Sequence, residues 1–189
     1  MSDVANAIMD AAEWRIRYGG FSGFSFREIA ADVGVKSSSV HYHFPTKEAL
    51  AAAVVHRYTD RVVNFVRDQV AAGQDPVTVW TTAFRSSLEQ NKGMCLGGIL
   101  GAAACDLPPE VAAEVQRFFK LCLEMIEGAG LSPDRAAQLL AKLEGAMLVA
   151  NALGDIATFD RATSQLFEPT ALRGRIGVIP EPRKRKGKR

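Results

Sequence analysis

The sequence predicts an all-α protein, on three observations. Strand-like alternation bounded by Asn-Gly or Asp-Gly turns is missing from the 189 residues, apolar residues recur at three- and four-residue spacing, and cap residues with glycine or proline divide the chain into helix-sized pieces. About nine helices follow, the first three forming an N-terminal module. Residues 3–18 carry Ile8, Ala11, Ala12 and Ile16 on one face and stop at Gly19-Gly20. Ser25-Phe26-Arg27-Glu28 has the form of a capping box, in which the serine takes an orphan amide and the glutamate reaches back, so a short second helix runs to about Val33. Gly34 supplies a positive-φ turn, a short segment spans 36–44, and Thr46 caps a long helix over 47–72.

Beyond Gly73, Asp75-Pro76 places a capping residue before proline at the first helical position, and Val77, Trp80, Phe84 and Leu88 line one face of the fifth helix. Gly93, Gly97, Gly98 and Gly101 lie in a small-residue segment reaching Cys105. Each glycine costs about 1 kcal/mol of helix propensity relative to alanine, which calls for close backbone packing or room for a ligand. Pro108-Pro109 opens a helix with Val111, Val115, Phe118, Phe119, Cys122 and Ile126 on its apolar side, ended by Gly128 and Gly130. Ser132-Pro133-Asp134 caps the next, apolar almost all round over 145–154, as expected of a helix covered on several sides. Asp160 is expected to cap a last helix carrying Leu166, Phe167 and Leu172, with Pro169 ending it early.

Composition narrows the function classes. Apolar residues at 48% and charged residues at 23% exclude a disordered polymer. No run of about 18 uncharged apolar residues and no basic-then-apolar leader occurs, so a cytoplasmic protein without a membrane partner is expected. Cys95, Cys105 and Cys122 form neither a paired disulfide framework nor zinc spacing, and His41, His43 and His56 have no carboxylate or cysteine at ligand spacing, so neither metal nor cofactor is expected. His56 reads as a surface or domain-junction residue. The net charge of +2 conceals a basic end, because residues 181–189 hold six basic side chains against Glu181; that end reads as a disordered tail with, at most, a sequence-independent grip on DNA.

Residues 26–45 have helix-turn-helix spacing: Ala30 where two helices cross, Gly34 in the turn and Val40 six residues on, facing the core. A larger side chain at Ala30 would part the helices, and a polar one at Val40 would be buried unpaired. Ile29, Val33 and Val35 complete the underside. The opposite face offers Lys36, Ser37, Ser38, Ser39, His41, Tyr42 and His43, short donors and planar rings suited to base edges and phosphate oxygens.

The run FSGFSFREIAADVGVKSSSVHYHFPTKEAL, residues 21–50, closely resembles the DNA-binding signature of the TetR family of bacterial transcriptional repressors, and MCLGGILGAAACDLPPEV resembles a branch of that family. The resemblance implies a DNA-binding domain over 1–46 and a ligand-binding and dimerisation domain over 47–180, joined through the fourth helix. It implies that Arg27 touches DNA from the supporting helix, that Lys36, Ser37, Ser38 and His41 approach bases, and that Tyr42, His43 and Lys47 hold phosphates. Lys47 also lies in the first turn of its helix, where backbone amides favour an anion. Lys36 stands where relatives often carry a capping serine or threonine, a departure that leaves that cap open and turns Lys36 toward DNA.

Function then reads as a homodimeric repressor that binds a palindromic double-stranded operator and is released by a small apolar or electrophilic effector. Trp80, Phe84, Met94, Cys95, Phe118, Cys122 and Met147 would line the effector site, although the same residues would also fill a solid core. Cys95, just after Lys92 and near a helix start, has a setting that lowers a thiol pKa; an inert core cysteine is the alternative. Ala146, Val149, Ala150, Leu153, Leu166 and Phe167 are the expected dimer interface. Two other classes stand beside this reading: a small-molecule-binding helical protein without DNA function, and a Cys95-dependent thiol enzyme. The enzyme lacks a visible base, since no histidine follows His56.

Overall fold

The computed structural model describes residues 2–91 and 93–166, and within them the protein is all-α: nine helices, three short 3₁₀ turns and no strand. The helices are α1 (Asp3–Gly19), α2 (Phe26–Val33), α3 (Ser37–His43), α4 (Lys47–Ala71), α5 (Pro76–Asn91), α6 (Leu96–Gly101), α7 (Pro109–Gly128), α8 (Pro133–Leu153) and α9 (Ile156–Thr163). Helices α1 to α3 pack on one another as a head, α1 lies along α4, and α4 to α9 form a bundle in which α4 packs on α7 and α8 on α5, α7 and α9. The core runs without a break from Ile8 in the head to Phe159 in α9.

The expected caps are in place. Thr46 Oγ1 accepts from the Ala49 amide at 3.0 Å, Asp75 Oδ2 from the Thr78 amide at 2.8 Å, and Ser132 Oγ from the Arg135 amide at 3.4 Å. The last helix differs from expectation. Asp155, not Asp160, caps it: Asp155 Oδ1 accepts from the Ala157 amide and Oδ2 from the Thr158 hydroxyl. The reason is Gly154, whose positive φ of 64° ends α8 and hands the next residue straight to a new helix. Asp160 then falls inside α9 and pairs with Arg85 on α5 at 2.7 Å. Phe167, Pro169, Leu172 and the basic end lie outside the described residues. None of the described helices is long and apolar enough to cross a membrane.

Candidate nucleic-acid interface and effector core

The head is built from its turn outward. Gly34 adopts φ 76°, ψ 37°, and its amide and that of Val35 both donate to the Ala30 carbonyl at 2.9 Å, closing the turn between α2 and α3. Ile29 and Val40 are fully buried beneath it. Ser25 Oγ accepts from the Glu28 amide and donates to the Glu28 carboxylate at 2.8 Å, which fastens the start of α2. Arg15 of α1 grips Asp32 with two nitrogens and Glu28 with a third, fixing α2 against α1.

With the apolar side so anchored, α3 turns its polar side outward. Arg27, Lys36, Ser37, Ser38, His41 and Tyr42 are exposed, whereas Ser39, His43 and Lys47 are half-buried. Tyr42 is 85% exposed, so it does not prop up the motif; it stands clear with its ring 5.1 Å from that of His43. His41 rests edge-on to Phe26 at 4.6 Å. Lys36 occupies the cap position of α3 without a side-chain capping bond. The Lys47 ammonium lies 4.7 Å from the ring centres of both Phe21 and Phe24, a cation–π seat that holds it at the head of α4.

Behind the head is a buried charge cluster that the sequence reading did not single out. Glu13 of α1 is fully buried; its carboxylate accepts from Arg17 Nη2 at 3.1 Å and from both terminal nitrogens of Arg61, at 2.5 and 3.2 Å, with Arg57 at 3.5 Å. Burial pushes this carboxyl up, but Arg61, Arg17 and Arg57 together outweigh it and hold it below its ordinary value. Arg17 also donates to Ser87 Oγ on α5 at 3.0 Å and to the Met94 carbonyl ahead of α6 at 3.2 Å. One side chain therefore ties head, α5 and the entry to α6. The available signal was the Glu13/Arg17 pair at i, i+4 on an otherwise apolar face.

Arg17 and Arg61 sit over the Tyr58 ring, at 5.1 and 5.4 Å, and Tyr58 is the wall of a small cavity, about 10 Å³, lined by Tyr58, Val62, Ala83, Phe84, Ser87, Cys95, Phe118 and Met147. That volume is room for about one water. Of the residues expected to line an effector site, Phe84, Cys95, Phe118 and Met147 do so; Trp80, Met94 and Cys122 are buried nearby but off its wall. Tyr58 and Val62 come from inward positions of α4, Ala83 and Ser87 from those of α5, and helical spacing could have found all four.

The expectation of an activated Cys95 is not met. The thiol is 2% exposed, accepts from the Tyr58 hydroxyl at 3.4 Å, and burial pushes its pKa up, with the Glu144 carboxyl adding in the same direction. Desolvation prevails over the helix start. Cys122 is raised for the same reason, and Cys105 is exposed. Glu144 itself lies against α6: both carboxyl oxygens are buried without a well-formed hydrogen bond among the described residues, and burial pushes its pKa up to about 7 against a weak opposing contact from the Cys95 thiol.

On α8, Val149 and Leu153 are exposed together with Leu148, while Ala146 and Ala150 point into the chain's own core and are not available to a second copy. The wide apolar stretch thus splits into an inner and an outer side. Leu166 is partly buried against the core, and Phe167 lies outside the described residues. His56 is exposed, beside Asp60 and Glu114. Among the described residues no group of three or more His, Cys, Asp or Glu could hold a metal ion.

These features define a helix-turn-helix DNA-binding domain carried on a helical bundle. Residues 8–54 match the family model of bacterial regulatory proteins, tetR family. A TetR transcriptional regulator from Legionella pneumophila has the same fold at TM-score 0.80 and 27% identity, over 89% of this chain and 99% of that one. A TetR-family regulator from Agrobacterium tumefaciens superposes at TM-score 0.81 and 25% identity, over 86% and 95%. The reduced form of E. coli NemR, at 18% identity and TM-score 0.76 over 87% and 95%, shares the fold. No curated protein sequence matches the chain. The N-terminal domain is that of the TetR family of transcription regulators, and the helical C-terminal domain has the arrangement of their solved structures.

Proposed function

We propose that the protein is a homodimeric repressor that binds a palindromic operator in the cytoplasm and leaves it when a small effector enters the bundle. The observation that carries this reading is the outer side of the helix-turn-helix: Ser37, Ser38, His41 and Tyr42 exposed on α3, with Lys36 at its cap and Arg27 on α2, over an underside and turn that are rigidly held. Lys36, Ser37, Ser38, Ser39 and His41 would read base edges, and Arg27, Tyr42, His43 and Lys47 would bind phosphates or sugar. The head would comprise residues 1–46 and the effector and dimer domain 47–180. A second copy would cover the outer side of α8 at Leu148, Val149 and Leu153, in an intersubunit helical bundle. Two-fold symmetry then requires half-sites about one helical turn apart, or a multiple of it.

Effector entry is coupled to DNA through Arg17, which touches Ser87 and Met94 at the core and Glu13 at the head. An effector need only fit better a bundle in which that grip is altered. Burial and a raised pKa weigh against the electrophile-sensing version of this reading and against a Cys95 thiol enzyme.

The test is retention of the protein's own upstream DNA in a gel shift across a salt series. Tyr42→Ala and Lys47→Ala should weaken binding to every sequence, Lys47→Ala lowering the salt slope by about 1, whereas Ser38→Ala and His41→Ala should alter base preference. Absence of any sequence-selective, salt-dependent retention would overturn the proposal.

A further inference from the structure

We infer that the effector is an organic cation, an apolar amine whose ammonium is taken by the Glu144 carboxylate beneath α6 while its body opens the packing between Phe118 and Met147. This rests on the ligand-responsive reading above and adds the ligand's chemical class.

The first support is what Glu144 lacks. An unpaired carboxyl in an apolar core is costly, and buried polar groups are ordinarily satisfied, yet the only donor near either Glu144 oxygen among the described residues is the Cys95 thiol, a weak one that leaves the carboxyl without a charged or full-strength partner. A core selected for stability alone would hold an apolar side chain there. The second is what surrounds it. Cys95 before α6, Tyr58 on α4 and Cys122 on α7 are the titratable groups facing this carboxyl, all held neutral by burial. Arg17 on α1, the cation reaching this part of the core, is engaged by Glu13, Ser87 and the Met94 carbonyl. A ligand ammonium would supply the missing partner; a ligand carboxylate would meet a like charge.

The third support is the cover. A Cβ at Gly97 would overlap the Phe118 ring, one at Gly98 the Glu144 carboxylate and one at Gly101 the Phe119 ring, so α6 lies directly on the groups that would bind the amine. A six-residue helix with three such glycines has little helix propensity and is an easy element to lift. The space now present is about 10 Å³, so an effector must displace α6 to enter. The residue ahead of Cys95 is Met94, whose carbonyl holds Arg17, and lifting α6 would therefore loosen the same grip that ties the core to the head.

The experiment compares three probes of one shape, phenylbutylamine, phenylbutanol and phenylbutyrate, by calorimetric titration of the full chain and by release of operator DNA. Expected is binding of the amine at least tenfold tighter than of the alcohol, and no binding of the acid. The amine's affinity should rise between about pH 6 and 8, because only ionised Glu144 pairs with it. Glu144→Gln should abolish both the preference and the pH dependence; Glu144→Leu removes the same charge and serves if the first variant does not fold. Equal binding of amine and alcohol, or an amine preference that survives in both variants, overturns the cation assignment while operator release by the alcohol leaves the ligand-responsive reading standing. If none of the three binds or releases DNA, both fall.

Discussion

Two buried carboxyls, one at each seam of the bundle, have opposite surroundings. At the seam of α1 with α4, Glu13 is enclosed by Arg17, Arg57 and Arg61, and the cluster holds the carboxyl ionised. At the seam of α6 with α8, Glu144 has buried oxygens with, among the described residues, no charged partner and only the weak Cys95 thiol nearby, and its proton is retained to about pH 7. The first is an ionic joint that fixes the head to the bundle, its carboxylate fully engaged although the Nε atoms of Arg57 and Arg61 have no hydrogen-bond partner among the described residues. The second is an acceptor left open in the region where the cavity and the glycine-rich helix meet. Burial alone does not distinguish structural from receptive charge; the count of partners does.

The largest effect expected from breaking this contrast is at Glu13. Glu13→Gln leaves Arg17 and Arg61 without their carboxylate, Arg57 alone keeping Asp10 at 2.8 Å, and should lower unfolding free energy by about 3–5 kcal/mol in urea denaturation. A loss under about 1 kcal/mol would mean that the arginines find other partners. Glu144→Gln should act in the opposite direction, stabilising the empty protein by up to about 3 kcal/mol at pH 8, since it removes a charge that burial opposes.

The pH dependences follow with opposite signs. Glu144 has a raised folded pKa, so its folded state binds the extra proton and stability falls as pH rises from the ordinary carboxylate range to about 7, then levels off. Glu13 has a lowered folded pKa, so its contribution is present above the ordinary carboxylate value and is lost as pH falls through the lower one. Thermal unfolding of the wild type and the two glutamine variants between about pH 3 and 8 should resolve the two arms; a Glu144→Gln variant that keeps the neutral-range decline contradicts the assignment. A smaller effect is expected at Arg17. Arg17→Met should leave operator affinity within about threefold but reduce effector-driven release by about fivefold or more, since typical coupling energies are 1–3 kcal/mol. Unchanged release would place the coupling elsewhere.

The head and most helix starts of the bundle were legible because their determinants are local. Ser25, Gly34, Thr46, Asp75 and Ser132 act on amides or carbonyls within a few residues, and the apolar spacing of Ile29, Val33 and Val40 selects which side of α2 and α3 is outside. The cap of the last helix is expected at Asp160 because nothing local fixes the break before it; the positive φ of Gly154 ends α8 there and makes Asp155 the cap of α9.

The sequence by itself therefore determined the all-α class, the order of the helices, the helix-turn-helix and the residues it presents. Tertiary structure alone decided which charges meet. Arg17 reaches Met94 across 77 positions and the Cys95 amide donates to Met147 Sδ across 52, and these contacts, not neighbouring residues, made Cys95 a poor nucleophile, left Glu144 open and turned Ala146 and Ala150 inward. The physical reason is range: caps and periodicity are settled within about one helical turn, whereas desolvation and ion pairing depend on every helix packed around a group.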